Sequence, residues 1–143
     1  MAELLIIPAI IMGAIIGLYE LILIHRDENF RGSHWLGHGL HAAIFAIGAT
    51  FITMNTEFVY ETFSFLHSIP YLDNQSVFRI AVGLIMMIKV HAASAVVKGT
   101  IGSTKGMKET WAHSFVVSAL VVLAPSIYPL IAPLFERFTG SSE

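Results

Sequence analysis

The sequence predicts an all-α integral membrane protein, a four-helix transmembrane bundle with a short interfacial helix in its second loop. Three observations predict it. Hydrophobic residues make up 55% and charged residues 13% of the 143 positions, with mean hydropathy +0.73, whereas a soluble domain carries roughly a quarter charged residues. Four apolar runs each approach the ~20 residues that cross a hydrocarbon layer of ~30 Å. The runs are continuous rather than alternating, and in lipid such runs close their backbone hydrogen bonds as helices.

The first run extends from about Leu4 to Ile24, and the amino terminus "MAELLIIPAIIMG" lacks the basic region and small-residue cleavage site of a signal peptide, so this span is expected to be retained. Gly13 and Gly17 form a G-x-x-x-G pair, a spacing that lets helices approach closely in lipid. Glu20 continues the same face and is expected to point into the bundle. The second run covers about Trp35 to Met54. The loop after it, "NTEFVYETFSFLHSIPYLDNQS", is too polar to span, and Phe58, Val59, Phe63, Phe65 and Leu66 predict a short helix on the membrane interface, ended by Pro70. His67 in this loop is set aside as a candidate ligand. The third run covers about Val77 to Val97 and the fourth about Trp111 to Leu134, the latter with Pro125, Pro129 and Pro133 on one face. Such a helix is expected to bend, its freed carbonyls satisfied by neighbours or by Ser126. The tail "TGSSE" reads as a frayed end. No internal repeat stands out, so an inverted-repeat transporter has no support, and residues 1–143 are read as one transmembrane domain.

Lys and Arg asymmetry sets the expected orientation. Arg26 and Arg31 follow the first run, and Lys98, Lys105 and Lys108 follow the third; only Arg79 and Arg137 lie on the other side. The first and third loops are therefore expected in the cytoplasm and both termini outside. The chain has no cysteine, which excludes disulfides, thiolate metal sites and covalent haem attachment; a metal would need nitrogen and oxygen ligands. No basic cluster argues for nucleic acid.

The stretch "GSHWLGHGLHAAIF" places His34, His38 and His41 within an arc of ~60° on one helix face. The face continues through Phe45, Gly48 and Ile52, all apolar, which argues against a water-filled pore. With His25, His91 and His113, six of the seven histidines fall in the cytoplasmic half of the four spans, together with Glu20 and Lys89. Ionisable groups within spans are costly in lipid and by default mark function. The eight-residue pattern H-x-x-x-H-x-x-H resembles one histidine box of membrane desaturases and hydroxylases; those families need several boxes, so their activity does not follow from one.

Imidazoles at i and i+4 can chelate a transition metal such as Cu or Fe. One deep histidine on each of two helices can grip haem b, which selects His38 or His41 with His91. A copper or di-iron centre would take His34, His38, His41 and His91 with Glu20. The competing interpretation is that the histidines are interfacial, hydrogen-bonded to water and head groups. Lys89 is expected either against Glu20 as an ion pair or snorkelling to the surface.

Three functions are thus anticipated. The first is a small redox or metal-site subunit carrying haem b or a histidine-bound metal near the cytoplasmic face, transferring electrons inside a larger membrane oxidoreductase. The second is a cofactor-free accessory subunit of a respiratory or copper membrane monooxygenase assembly. The third is a small ion or proton transporter. All three imply a lipid bilayer, with other membrane subunits or further copies of the chain as partners.

Overall fold

The computed structural model describes residues 4–26, 35–96 and 111–139, with side chains described over 4–23, 40–91 and 111–134. Within them the protein is all-helical, with five α-helices: α1 Ile6–Arg26, α2 Trp35–Met54, α3 Thr56–Thr62, α4 Gln75–Val96 and α5 Trp111–Thr139. A 3-10 turn, Ser64–Ser68, follows α3. The expected frayed tail from Gly140 onward and most of the two basic loops lie outside the described residues.

Among the described residues, α1 over Ile6–Leu23 and α5 over Trp111–Leu134 are long and apolar enough to cross a membrane. A third crossing would come from α2 and α3 taken as one broken segment, which bends by 85° at Asn55. The apolar run of α4 is interrupted by Arg79, Lys89 and His91. The helical fold class thus holds, with two or at most three of its helices passing as spans.

Helix boundaries follow local chemistry. Pro8 sits in the first turn of α1, where its missing N–H leaves no helical bond unmade. Asn74 starts α4: its Oδ1 accepts from the backbone N–H of Ser76 at 2.9 Å and of Val77 at 3.2 Å. Before it, Pro70 opens a tight turn in which the Leu72 N–H donates to the Ile69 carbonyl at 3.2 Å. Tyr71 there has φ 70°, the left-handed conformation that the third position of a type II turn demands and that glycine adopts more cheaply.

Both α2 and α5 touch α1 and α4 as well as each other, so they form the short diagonal of the packing. The core between them is built from Ala9, Met12 and Ile16 of α1, Ala46 of α2, Met86 and Val90 of α4, and Val117 and Val121 of α5. Gly13 and Gly17 do what their spacing predicts. A Cβ on Gly13 would stand 2.6 Å from the Cα of Ile47, and one on Gly17 would stand 2.9 Å from the Cα of Ala43. Only glycine permits the backbones to come this close.

Large apolar side chains remain exposed along the outside, among them Ile7, Ile15, Leu18, Ile85, Phe115 and Leu130. An apolar exterior over helices of this length is what contact with a lipid bilayer requires.

Candidate functional site: a buried carboxylate and its neighbours

The helix registers decide which candidate residues share a level. Gly17 packs on Ala43, so Glu20, three residues on in an antiparallel pair, stands level with about residue 40 of α2. The Lys89 ammonium lies 5.9 Å from the Phe45 ring centroid, so His91 stands level with about residue 43. Trp111 of α5 is brought to the same height, because its ring stacks on His91 with centroids 3.7 Å apart and planes 16° from parallel. At 1.5 Å per residue, Glu20, His41, His91 and Trp111 therefore fall within about one helical turn along the bundle axis.

Their surroundings differ. Glu20 has 0% of its surface exposed and is the largest of the fully buried side chains. The G-x-x-x-G face that carries it is pressed against α2, which accounts for its direction. Ser114, also at 0%, follows Trp111 by just under a turn on α5. His91 and His113 are half-buried, while His41 and Lys89 are exposed.

The described part of the histidine stripe thus looks outward. His41, Phe45 and Gly48 are all exposed, and nothing lies within 4 Å of a Cβ built on Gly48. The inward face of α2 is instead Ala42, Ala46, Thr50 and Thr53. His34 lies outside the described residues, as do the side chains of His25 and His38.

Of the two arrangements anticipated for Lys89, the outward one is found, and His91 has an aromatic neighbour. The His91 ring rests on Trp111 of α5, and Lys89 extends over Phe45 on the exposed side of α2 and α4, away from the buried level of Glu20. Both follow from the roughly 200° between positions 89 and 91 around a helix: once His91 faces α5, Lys89 must face outward, where its ammonium meets an aromatic ring. Tryptophan at position 111 reads in sequence only as a span boundary, so the stack was not legible there.

As a test of fit for a metal, no group of three or more His, Asp or Glu side chains among the described residues is arranged to hold an ion. Glu20, His41 and His91 share a level without forming such a group. A two-histidine arrangement demands less, and its residues here would be His38 or His41 with His91.

The opposite end of the bundle holds polar residues that sequence reasoning passed over. Asn55, 4% exposed, accepts from the Leu5 N–H at 2.7 Å and donates to the Phe51 carbonyl at 2.9 Å and the Leu5 carbonyl at 3.4 Å. It ties the start of α1 to the end of α2. Arg79 donates from Nε to the Thr53 carbonyl at 3.1 Å and to Thr56 Oγ1 at 3.3 Å. A cation at the carbonyl end of α2 suits the helix dipole.

The Tyr60 hydroxyl donates to the Leu72 carbonyl, and its ring packs on Phe78 and His67. Burial pushes the Tyr60 phenol above its ordinary range, the Asp73 carboxylate adds to this, and Arg79 opposes it. An Asn directly after a long apolar run and an Arg four residues after Gln75 were the available signals for this end.

Comparison with protein-family models, with curated proteins and with solved structures finds no match.

Proposed function

We propose that the chain is a membrane-embedded subunit with four crossing helices, α1, α2, α4 and α5, and that Glu20 is the working group of a proton or cation relay. The observation that carries this reading is the complete burial of Glu20 within the most apolar part of α1. An ionised carboxylate within a span costs several kcal/mol when exposed to lipid, and a carboxylate in the C-terminal half of a helix gains nothing from its dipole. His91, His113 and Ser114, near Glu20's end of the bundle, are the groups to pass protons between Glu20 and the loop surface. In this reading the first and third loops face the cytoplasm and both termini lie outside, following the basic residues.

The test is pH-driven flux in proteoliposomes. Wild-type protein is expected to dissipate an imposed proton gradient and Glu20→Gln to abolish that activity; unchanged flux in the variant excludes Glu20 as the relay.

A second reading, a redox subunit of a larger membrane oxidoreductase, is favoured by the common level of His41 and His91 on adjacent helices. Haem b, or a histidine-bound Cu or Fe ion, would be held by His38 or His41 with His91 and would supply one-electron transfer. Because His41 is exposed, the group would sit where this chain meets another membrane subunit or another copy. A Soret band that disappears in His91→Ala supports this reading. A colourless, metal-free preparation that supports no flux would leave the accessory-subunit role.

A further inference from the structure

Beside Asn55, at the bend between α2 and α3, lies a cavity of about 270 Å³ whose walls include Arg79, Glu57, Gln75, Leu5 and Phe58. Its two charges are of opposite sign and do not touch. Between them stands a neutral amide: Arg79 Nη2 donates to Gln75 Oε1 at 3.3 Å, and Gln75 Nε2 donates to Glu57 Oε1 at 3.4 Å. Two hydrogen bonds and one amide keep guanidinium and carboxylate at most ~9 Å apart.

The hydrogen bonds of Arg79 all go to neutral oxygens, those of Thr53, Thr56 and Gln75. They use Nε and Nη2, leaving both Nη1 hydrogens as donors from a half-buried cation. Capping α2 explains Nε, and a first-turn carboxylate in α3 explains Glu57 locally. Neither role requires the two charges to border one cavity with an amide holding them apart. A direct Arg–Glu ion pair would have satisfied both without a cavity.

We propose that this cavity binds a zwitterion of the phosphoethanolamine class, its phosphate on Arg79 and its primary ammonium on Glu57. A phosphate oxygen and the nitrogen of such a group lie roughly 4–5 Å apart, and a charge-assisted hydrogen bond of about 2.8 Å at each end makes a straight path of roughly 10–11 Å. Bent at its hydrogen bonds, that path closes to the ~9 Å or less that separates Arg79 from Glu57. The same chemistry is offered by a phosphatidylethanolamine headgroup and by free phosphoethanolamine. The apolar walls, Leu5 and Phe58, suit the lipid, whose glycerol and acyl chains would continue over the exposed outside of the bundle. The proposal rests on the membrane reading of the helices and is independent of Glu20.

The experiment uses the full chain in detergent, with thermal unfolding followed as phosphatidylethanolamine, phosphatidylglycerol, phosphatidylcholine or free phosphoethanolamine is added. Phosphatidylethanolamine is expected to half-saturate at a concentration roughly 5- to 10-fold below that of phosphatidylglycerol, which lacks the ammonium, and of phosphatidylcholine, whose quaternary nitrogen has no proton to donate. Glu57→Gln, at an exposed position that leaves the helix cap intact, is expected to erase that preference while unfolding at the wild-type temperature without lipid. An equal effect of free phosphoethanolamine also supports the site and assigns it to a soluble ligand. Equal stabilisation by all three lipids, or an undiminished preference in Glu57→Gln, overturns the proposal. Recovery of the chain in the aqueous fraction without detergent would instead count against the membrane reading, and Glu20→Gln serves as a variant in which the lipid preference should persist.

Discussion

The two ends of this bundle spend their polar residues differently. At the α2–α3 bend, Asn55, Arg79, Thr53 and Tyr60 bond to the backbone of Leu5, Phe51, Thr53, Val121 and Leu72. Each of these bonds can be traced to chain geometry: a helix that ends, a helix that begins, a turn or a proline. At the other end, Glu20 lies inside α1, six residues before its last residue Arg26, where the helix already satisfies its own backbone. The difference separates polar groups placed at helix ends and turns from one placed inside a helix. In a largely apolar chain, this is the more useful criterion than burial alone, because Thr53 is as fully buried as Glu20 and Asn55 is nearly so.

The most direct way to break this comparison is at Glu20. Glu20→Leu should abolish proteoliposome flux as completely as Glu20→Gln, while Glu20→Gln, which keeps the shape and the capacity to hydrogen-bond, should unfold in detergent near the wild-type midpoint. A variant that loses its fold together with its flux would move Glu20 into the structural class.

The next largest effect is expected along the α1–α2 seam that joins both ends. Gly13→Ala drives a methyl into the backbone of Ile47, so the helices must separate, at about 1–3 kcal/mol in unfolding free energy. Gly48→Ala, which meets open space, should instead be neutral or gain up to ~1 kcal/mol from helix propensity. Unfolding of the two variants side by side reads whether close approach or glycine content matters. Asn55→Ala follows in size. It leaves the start of α1 and the last turn of α2 short of partners, at about 1–3 kcal/mol, and hydrogen exchange should rise at Leu5 ahead of the rest of α1.

Tyr60 gives the bend end a pH signature. Its folded phenol titrates above the ordinary value of about 10 because it is buried and faces Asp73. The contribution of the neutral, hydrogen-bonded phenol is therefore complete below pH ~10 and is lost as pH rises through the higher folded value. Stability of the wild type should fall in that alkaline window. Tyr60→Phe should be less stable than the wild type at neutral pH and flatter above pH ~10, and parallel curves for the two proteins would show that another group controls the alkaline limb.

Hydropathy made the helices legible. The expected limits 35–54 and 111–134 meet Trp35–Met54 and Trp111–Thr139, and α4 begins slightly earlier than expected because Asn74 caps it. The burial of Glu20 was also legible, since the glycine pair fixed the face that α1 turns inward. Cross-helix partners were not. Which helix receives His91, and whether Lys89 turns inward, depends on the rotation of α4, and a helix with polar groups on several sides does not specify its rotation by pattern. The histidine stripe illustrates the same limit. Its one member with a described side chain, His41, is exposed, while Ala42, the next residue along α2, is buried.

The smallest effect tests the structural class at one bond. Pro125 has no N–H to offer the carbonyl of Val121, four residues before it, so α5 carries a freed acceptor inside the core. Thr53 Oγ1 on α2 donates to that carbonyl at 3.0 Å and also approaches its own Thr50 carbonyl at 3.1 Å. The expectation that neighbours would satisfy the proline-freed carbonyls is met here by a threonine rather than by Ser126. Thr53→Val keeps the shape and removes the donor, and should cost about 0.6 kcal/mol, the typical value for an interhelical hydrogen bond in a membrane protein. Pro125→Ala supplies Val121 with an intrahelical donor, so in that background Thr53→Val should cost measurably less. The four unfolding free energies form a double-mutant cycle. A coupling near zero would mean that Thr53 serves only its own helix, and that the proline and the threonine share a level by packing alone.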